Sequence, residues 1–317
     1  MDYHQACALV SGAHLSFSRA GHILGSASAL ITIGAGRVLF SGDLGRTRHP
    51  LLLPRETPPA ARTVVIESTY GDRAHPADGA PTHEILAEAI CRTVKRGGSI
   101  LIPAFAVDRT ELVLHALSQL TAAGDIPTIP VYVDSPMALA ALDVYRNHSV
   151  RQDLRPDLPA RLVDLPDLHT AHSAQESMQL NEPRTPSIII SASGMATGGR
   201  VVHHLLHLLP DSRHTVILTG YQAVGTRGRQ LAEGATELKM FGRYVPVHAD
   251  VVVDHGFSVH ADATELLTWL QALPAAPETV YIVHGEPDSA RSLAAKVRAE
   301  TGWCVVVPEL GERVRVD

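Results

Sequence analysis

Val251-Val252-Val253-Asp254-His255-Gly256-Phe257-Ser258-Val259-His260 is an apolar, strand-like run that ends in a carboxylate and passes through a glycine turn to a histidine. The same design recurs along the chain. Val38-Leu39-Phe40-Ser41-Gly42-Asp43 and Val64-Val65-Ile66-Glu67 each end in a carboxylate, and Tyr281-Ile282-Val283-His284-Gly285-Glu286 leads to a histidine. Ala20-Gly21-His22-Ile23-Leu24-Gly25-Ser26 sets a histidine between two glycines. Loops at the carboxyl ends of strands are where α/β folds gather their sites. Histidines and carboxylates are ligands for zinc or a similar divalent ion. One such segment alone is weak, since a histidine after a strand is more often a hydrogen-bonded structural residue. Five in one chain point to a metal site. Directly after His260, Asp262 with Glu265 three positions on has the pattern of a helix N-cap with a capping box.

Outward from these segments, short apolar runs alternate with amphipathic stretches, the pattern of a layered α/β protein. Strands are expected at Ala29–Ile33, Arg37–Ser41, Thr63–Glu67, Ser99–Ile102, Pro130–Val133, Ser187–Ser191, Thr215–Thr219, Val251–Asp254, Val280–Val283 and Cys304–Val307. Helices are expected at Pro81–Lys95, Arg109–Leu120, Pro136–Arg146, Arg200–Leu209, Thr226–Leu231, Ala263–Leu270 and Pro287–Glu300, the last begun by Pro287 and stopped by Gly302. The proline-rich stretch Val150–Pro186 reads as loop and short helix.

The 317 residues suit about two domains. A hydrophobic fraction of 45% is enough for a full core and excludes a disordered chain. A net charge of −6 gives no bulk attraction to nucleic acid, so any such site needs a local basic patch. Histidine, at 18 residues, is the compositional hint of metal or acid–base chemistry. Cys7, Cys91 and Cys304 are far apart and form no CxxC pair, which predicts buried thiols in a reducing compartment. No leader pattern and no apolar run of about 18–20 residues is present, so a cytoplasmic location without a membrane partner is expected.

A second kind of segment looks built for anions. Ser191-Ala192-Ser193-Gly194-Met195-Ala196-Thr197-Gly198-Gly199-Arg200 follows a strand and opens a helix, so backbone N–H groups with the Ser193 and Thr197 hydroxyls could receive a phosphate. It lacks the GK[ST] of a P-loop, and a plain tight turn is the competing reading. Thr219–Arg229 and Ala104–Thr110 repeat the strand, turn and helix plan. Arg109, Arg200, Arg227 and Arg229 are candidates for local positive charge; each could equally be a solvated helix residue.

Taken in order, AGHILGSA, SGDLGR, ESTYGD, PAFAVDRT, DSPMA, SASGMATGGR, LTGYQAVGTRGR, GFSVHAD and IVHGE resemble the β-CASP branch of the metallo-β-lactamase fold, a group of RNA-processing metallo-hydrolases. The resemblance implies an αββα sandwich with an inserted parallel α/β domain. Its segments would be 1–78, the insertion 79–246, and 247–317, with the site in the cleft between the two parts and single-stranded RNA as partner. It implies two zinc ions in a complete site. Residue by residue, His22, Asp43 and His284 match metal ligands, Asp43 being the bridging carboxylate. His260 matches the proposed general acid and Glu67 the residue that orients it. Ser193, Gly194, Thr197, Arg109, Arg200, Arg227 and Arg229 are then candidate RNA contacts. The family's HxHxDH motif is absent from this sequence. The expectation is therefore a zinc-dependent ribonuclease-type hydrolase that supplies only part of its ligands. A fragment or mis-called start, a degenerate member that binds RNA as a non-catalytic scaffold, and a missing half supplied by a separate polypeptide all remain open, as do a homodimer and a complementary N-terminal segment as partners.

Overall fold

The computed structural model describes residues 2–75, 83–159 and 162–316. The boundary expected near Asp78 and the helix start expected at Pro81 lie outside the described residues, as do 160 and 161 of the proline-rich stretch; the helix is described as Glu84–Lys95. The fold is α/β, with two large sheets in two compact units. One unit comprises Met1–Ala80, Asp153–Arg155 and Val259–Asp317; the other comprises Pro81–Gln152 and Pro156–Ser258.

The first unit carries a seven-stranded sheet in the order Cys7–Ala8, Ala13–Arg19, Ala27–Ile33, Gly36–Phe40, Thr63–Glu67, Thr279–Val283 and Val305–Val306. The first four strands form an antiparallel meander and the remaining pairings are parallel. Val64, Ile66, Val280 and Ile282 are buried with Leu266, Leu270, Leu293 and Val297, which lie on the helices Ala263–Gln271 and Pro287–Thr301. Each such side chain contributes about 1.5–3 kcal/mol on burial. Gly302 ends the second helix in a left-handed conformation, φ 70°, its N–H donating to the Arg298 carbonyl. The short excursion Asp153–Arg155 joins this unit by backbone bonds, Arg155 N–H to the Leu51 carbonyl at 2.9 Å and Leu53 N–H to the Asp153 carbonyl at 3.0 Å.

The second unit carries six parallel strands in the order Asp250–Asp254, Thr215–Thr219, Ile100–Pro103, Ile188–Ser191, Val131–Asp134 and Leu168–Thr170. Every residue of Ile100–Pro103, Ile188–Ser191 and Thr215–Thr219 is buried, as expected of parallel strands covered on both faces. The chain leaves Ile100–Pro103 toward one edge, returns to Ile188–Ser191 and then crosses to Thr215–Thr219. The carboxyl end of Ile100–Pro103 is thus a point where the strand order reverses, the place where open α/β sheets form crevices.

The differences from the sequence reading have physical causes. The second unit runs on to Ser258 rather than ending at 246, because Asp250–Asp254 pairs in parallel with Thr215–Thr219 over five residues. Ala13–Arg19 is a strand that was not expected; Ala13, Leu15 and Phe17 do alternate with His14, Ser16 and Ser18, but the apolar positions are few. The hairpin Glu237–Met240 and Arg243–Pro246 was also missed, as were the strand Leu168–Thr170 and the helix Ala174–Gln179 inside the proline-rich stretch. The thiols of Cys7, Cys91 and Cys304 are exposed, not buried. Cys7 and Cys304 lie at or beside the outermost strands of the first sheet, and Cys91 is on the outer side of a helix. Among the described residues no helix is long and apolar enough to cross a membrane.

Glu111, in the helix Arg109–Ala123, has no solvent exposure. Burial pushes its carboxyl up to about 8; the nearby backbone of Glu111 and Asp108 opposes this, and the Asp108 charge adds to it. A folded-state value above the unfolded one means that the native state holds its proton more tightly. The stabilisation is therefore complete below 4.5 and is lost as pH rises to about 8. Thermal unfolding across this window should show a falling melting temperature, and Glu111→Gln should flatten the fall. Parallel curves for the two proteins would refute it.

Candidate metal centre

His22, Asp43, Glu67, His260 and His284 all belong to the first unit, and the fold brings all five together. His22 sits in a tight turn. Its N–H and that of Ile23 donate to Ser26 Oγ at 2.9 and 3.2 Å, while the Ala20 N–H donates to the Ser26 carbonyl. The turn lies so close to the next loop that a Cβ on Gly45 would fall 1.8 Å from the Gly21 carbonyl oxygen. Asp43 follows Gly42, whose φ of 58° turns the chain where any side chain would meet the Ala27 carbonyl at 2.7 Å. His284 follows Thr279–Val283 with a left-handed φ of 53°, and a Cβ on its neighbour Gly285 would strike Ser68.

Glu67 closes the strand Thr63–Glu67 and is 2% exposed. Its Oε1 accepts the Leu44 N–H at 2.6 Å, and its Oε2 accepts the Thr69 N–H at 3.3 Å. His260 Nδ1 lies 3.4 Å from the same carboxylate. Since an ionised carboxylate only accepts, the proton between them belongs on Nδ1. The His260 backbone is fixed on both sides: Arg46 N–H donates to the Val259 carbonyl, and Ala261 N–H to the Leu44 carbonyl. Asp262 and Glu265 form the expected capping box on Ala263–Gln271. Tyr70 stands edge-on to the His260 ring at 5.8 Å, and His75 Nε2 is 2.8 Å from the His260 carbonyl oxygen. Ser41 Oγ accepts the Glu67 N–H at 3.0 Å. Tyr70, Ser26 and Ser41 stand inside the ESTYGD, AGHILGSA and SGDLGR runs, so a signal existed; nothing in the sequence pointed to His75.

Asp43 joins the histidines. Its Oδ2 is 3.9 Å from His22 Nε2 and its Oδ1 is 3.3 Å from His284 Nε2. Burial raises the Asp43 carboxyl above its usual range and the Glu67 charge adds to this, with His260 and His284 opposing. Burial also pushes Glu67 up, but the hydrogen bond and charge of His260, with the Thr69 and Leu44 bonds, win and hold it low. His22, Asp43 and His260 each offer one donor atom, all within 4.8 Å of one another. Nitrogen and oxygen donors about 2.0–2.2 Å from one zinc ion stand roughly 3–4 Å apart. The donor set therefore fits a divalent cation, which would also relieve the repulsion between Asp43 and Glu67. The compact trio includes His260; His284, 63% exposed at its side chain, lies on the other oxygen of Asp43.

The anion-type loops belong to the second unit and meet at the carboxyl end of Ile100–Pro103. A Cβ on Gly194 would lie 2.8 Å from the Phe105 backbone nitrogen, and Gln222 Nε2 donates to the Gly194 carbonyl. The Thr197 and Gly198 N–H groups converge on Ser193 Oγ, which is also 3.0 Å from Thr197 Oγ1. Three of the four arginines are tied inward, and Arg229 makes an exposed i,i+4 pair on its own helix. Arg200 Nη1 donates to buried Asp134 at 2.6 Å and to the Ala171 carbonyl, and its Nη2 to that of His172. Arg227 holds the carbonyls of Lys239, Ala196 and Thr197. Arg229 pairs with Glu233, and Arg109 is buried against Gly220. Asp134 also accepts from Ser177 Oγ and His204 Nε2, each at 2.6 Å, completing a buried polar cluster that the sequence did not reveal.

Comparison with known proteins agrees with this architecture. Residues 110–231 match the Beta-Casp domain, and residues 244–308 match the Zn-dependent metallo-hydrolase RNA specificity domain. A ribonuclease of Thermus thermophilus is 36% identical over 314 residues, covering 95% of this chain and 69% of that protein. An RNase J-like protein of Methanocaldococcus jannaschii is 32% identical over 304 residues, 94% of this chain and 69% of the relative. The transcription termination factor FttA of Pyrococcus abyssi is 33% identical over 333 residues, and there the chain spans 51% of the relative's length.

Two substitutions test the supports. Gly45→Ala places a carbon against backbone that cannot yield and should both lower the melting temperature and loosen the His22 turn. Asp134→Ala strands Arg200 and His204 in the interior and should cost about 3–5 kcal/mol in denaturant unfolding. A change within about 0.5 kcal/mol, the range of surface substitutions, would contradict either assignment.

Proposed function

Because the chain belongs to the β-CASP family of metallo-β-lactamase-fold metallo-hydrolases, we propose that it takes part in metal-dependent hydrolysis of phosphodiester bonds in single-stranded RNA. The observation that carries this reading is the meeting of His22, Asp43 and His284 with a buried Glu67–His260 pair. His22, Asp43 and His284 are the proposed ligands of a divalent ion, zinc by donor chemistry; His260, the third donor of the compact trio, is assigned the acid role because its Nδ1 is engaged by Glu67. Bound there, such an ion would polarise a phosphoryl oxygen and lower the pKa of a coordinated water.

The remaining steps fall to the chain's own residues. Glu67 accepts a hydrogen bond from His260 Nδ1–H and so fixes the ring direction; in the doubly protonated ring Nε2 carries the second proton, which passes to the departing oxygen. Asp43, with an oxygen toward each of two histidines, holds the donor set together. In the second unit, Ser193 and Thr197 are the proposed phosphate contacts. Gly194, buried against Phe105, is proposed to let this loop pack on the one that follows Ile100–Pro103. Arg109, Arg200 and Arg227 act by holding the loops in shape, and Arg229 remains a candidate phosphate contact.

Elemental analysis after dialysis against zinc should find at least one ion per chain, with less in Asp43→Asn. His260→Ala should keep its zinc and lose cleavage of single-stranded RNA by roughly 10²–10⁴-fold. If zinc content falls with it, His260 is a ligand rather than the acid. RNA binding with neither metal nor turnover would overturn the hydrolase reading in favour of a non-catalytic RNA-binding or scaffold relative.

A further inference from the structure

The hairpin Glu237–Met240 and Arg243–Pro246 buries Leu238, Met240 and Val245 against the second unit and turns its other side outward. Met240 pairs with Arg243, so Phe241 and Gly242 form a two-residue turn, with φ of 48° and 79°. Two positive φ values favour Asn-Gly or Asp-Gly at such a turn, and a bulky residue there is disfavoured. Phe241 nevertheless occupies the strained position and is 59% exposed, its ring tilted on His203 at 4.7 Å. Folding does not ask for this residue, and an observed outlier of this kind points to use. Tyr244 is 64% exposed, and its cross-strand partner Lys239 holds an ammonium 5.9 Å from the ring centroid. Arg243, exposed beside the turn, stands across from Met240 and so on the face opposite Lys239 and Tyr244. Against these two cations stands one carboxylate on the hairpin, Glu237, in a chain of net charge −6. Arg227 clamps the carbonyl of Lys239 to those of Ala196 and Thr197, so the hairpin is fixed to the loop that bears Ser193.

We infer that this hairpin is a base-stacking platform for single-stranded RNA, with Phe241 and Tyr244 under the bases, Lys239 beside Tyr244 against the backbone phosphates, and Arg243 meeting them at the turn from the other face. The inference rests on the RNA reading above and adds a surface to it. Aromatic rings paired with cations serve unpaired strands of any sequence, since every base has a stacking face. A duplex, with its bases stacked on each other, would not compete.

The test is fluorescence anisotropy of labelled oligouridine of about 20 nucleotides, in chelator, with the whole chain. Tyr244→Ala should weaken binding about tenfold, the scale of one lost base stack. Phe241→Asn should weaken it similarly while melting no lower than the parent, since Asn suits the turn; that separates recognition from folding. Lys239→Gln and Arg243→Gln should each reduce the salt slope by about 0.7. Unchanged affinity in Phe241→Asn and Tyr244→Ala, or no binding by the parent chain, would overturn the inference. Hydrolysis of bis(p-nitrophenyl) phosphate, which has no base to stack, reports on the metal centre separately.

Discussion

The buried carboxylate of Glu67 is the joint on which the first unit's site depends. A charge in a nearly solvent-free position is costly unless it is paired and hydrogen-bonded. Here the Leu44 N–H, the Thr69 N–H and His260 Nδ1 supply the compensation. Those three partners come from three separate chain segments. The need to satisfy one carboxylate therefore draws the loop after Gly36–Phe40, the turn after Thr63–Glu67 and the approach to Ala263–Gln271 to a common point. Asp43, one residue before Leu44, is carried to the same place, and its own carboxyl, raised by burial and by Glu67, gives the pocket its appetite for a cation.

The second unit solves a similar problem for a different end. Asp134 at the close of Val131–Asp134 is fully buried and is satisfied by Arg200, His204 and Ser177. The arginine that opens the helix after the glycine-rich loop is thus anchored inward. Arg227 does the corresponding work from the next loop, reaching back to the carbonyls of Ala196 and Thr197. Arg200 and Arg227 serve loop shape, while the hairpin presents two cations and two rings to solvent.

Much of this is legible in the sequence. The strands Thr63–Glu67 and Thr215–Thr219 occur where their apolar runs stand, and the helix Pro136–Arg146 occurs between its proline and its last basic residue. These segments carry strong local signals. Ala13–Arg19 does not, since its strand character comes from pairing along its whole length with Ala27–Ile33. The hairpin turn at Phe241-Gly242 lacks the usual Asn or Asp, so its sequence hid it. The cysteines misled because a thiol's burial depends on which face of an element it lands on, and Cys91 lands outside.

By itself the sequence determined the α/β class, the order of the motifs, and the five ligand-type residues at strand ends, because hydrophobic period and glycine punctuation act over a few residues. Only the tertiary structure decided how those residues combine. It set His260 among the donors closest to His22 and Asp43, and left His284 exposed on the far oxygen of the same carboxylate. It turned Arg200 onto a buried aspartate 66 positions away. It carried the strand Asp250–Asp254 into the second sheet. Distances between side chains hundreds of residues apart follow from sheet register and from the requirement that every buried charge find a partner. Neither is written in any local stretch of the chain.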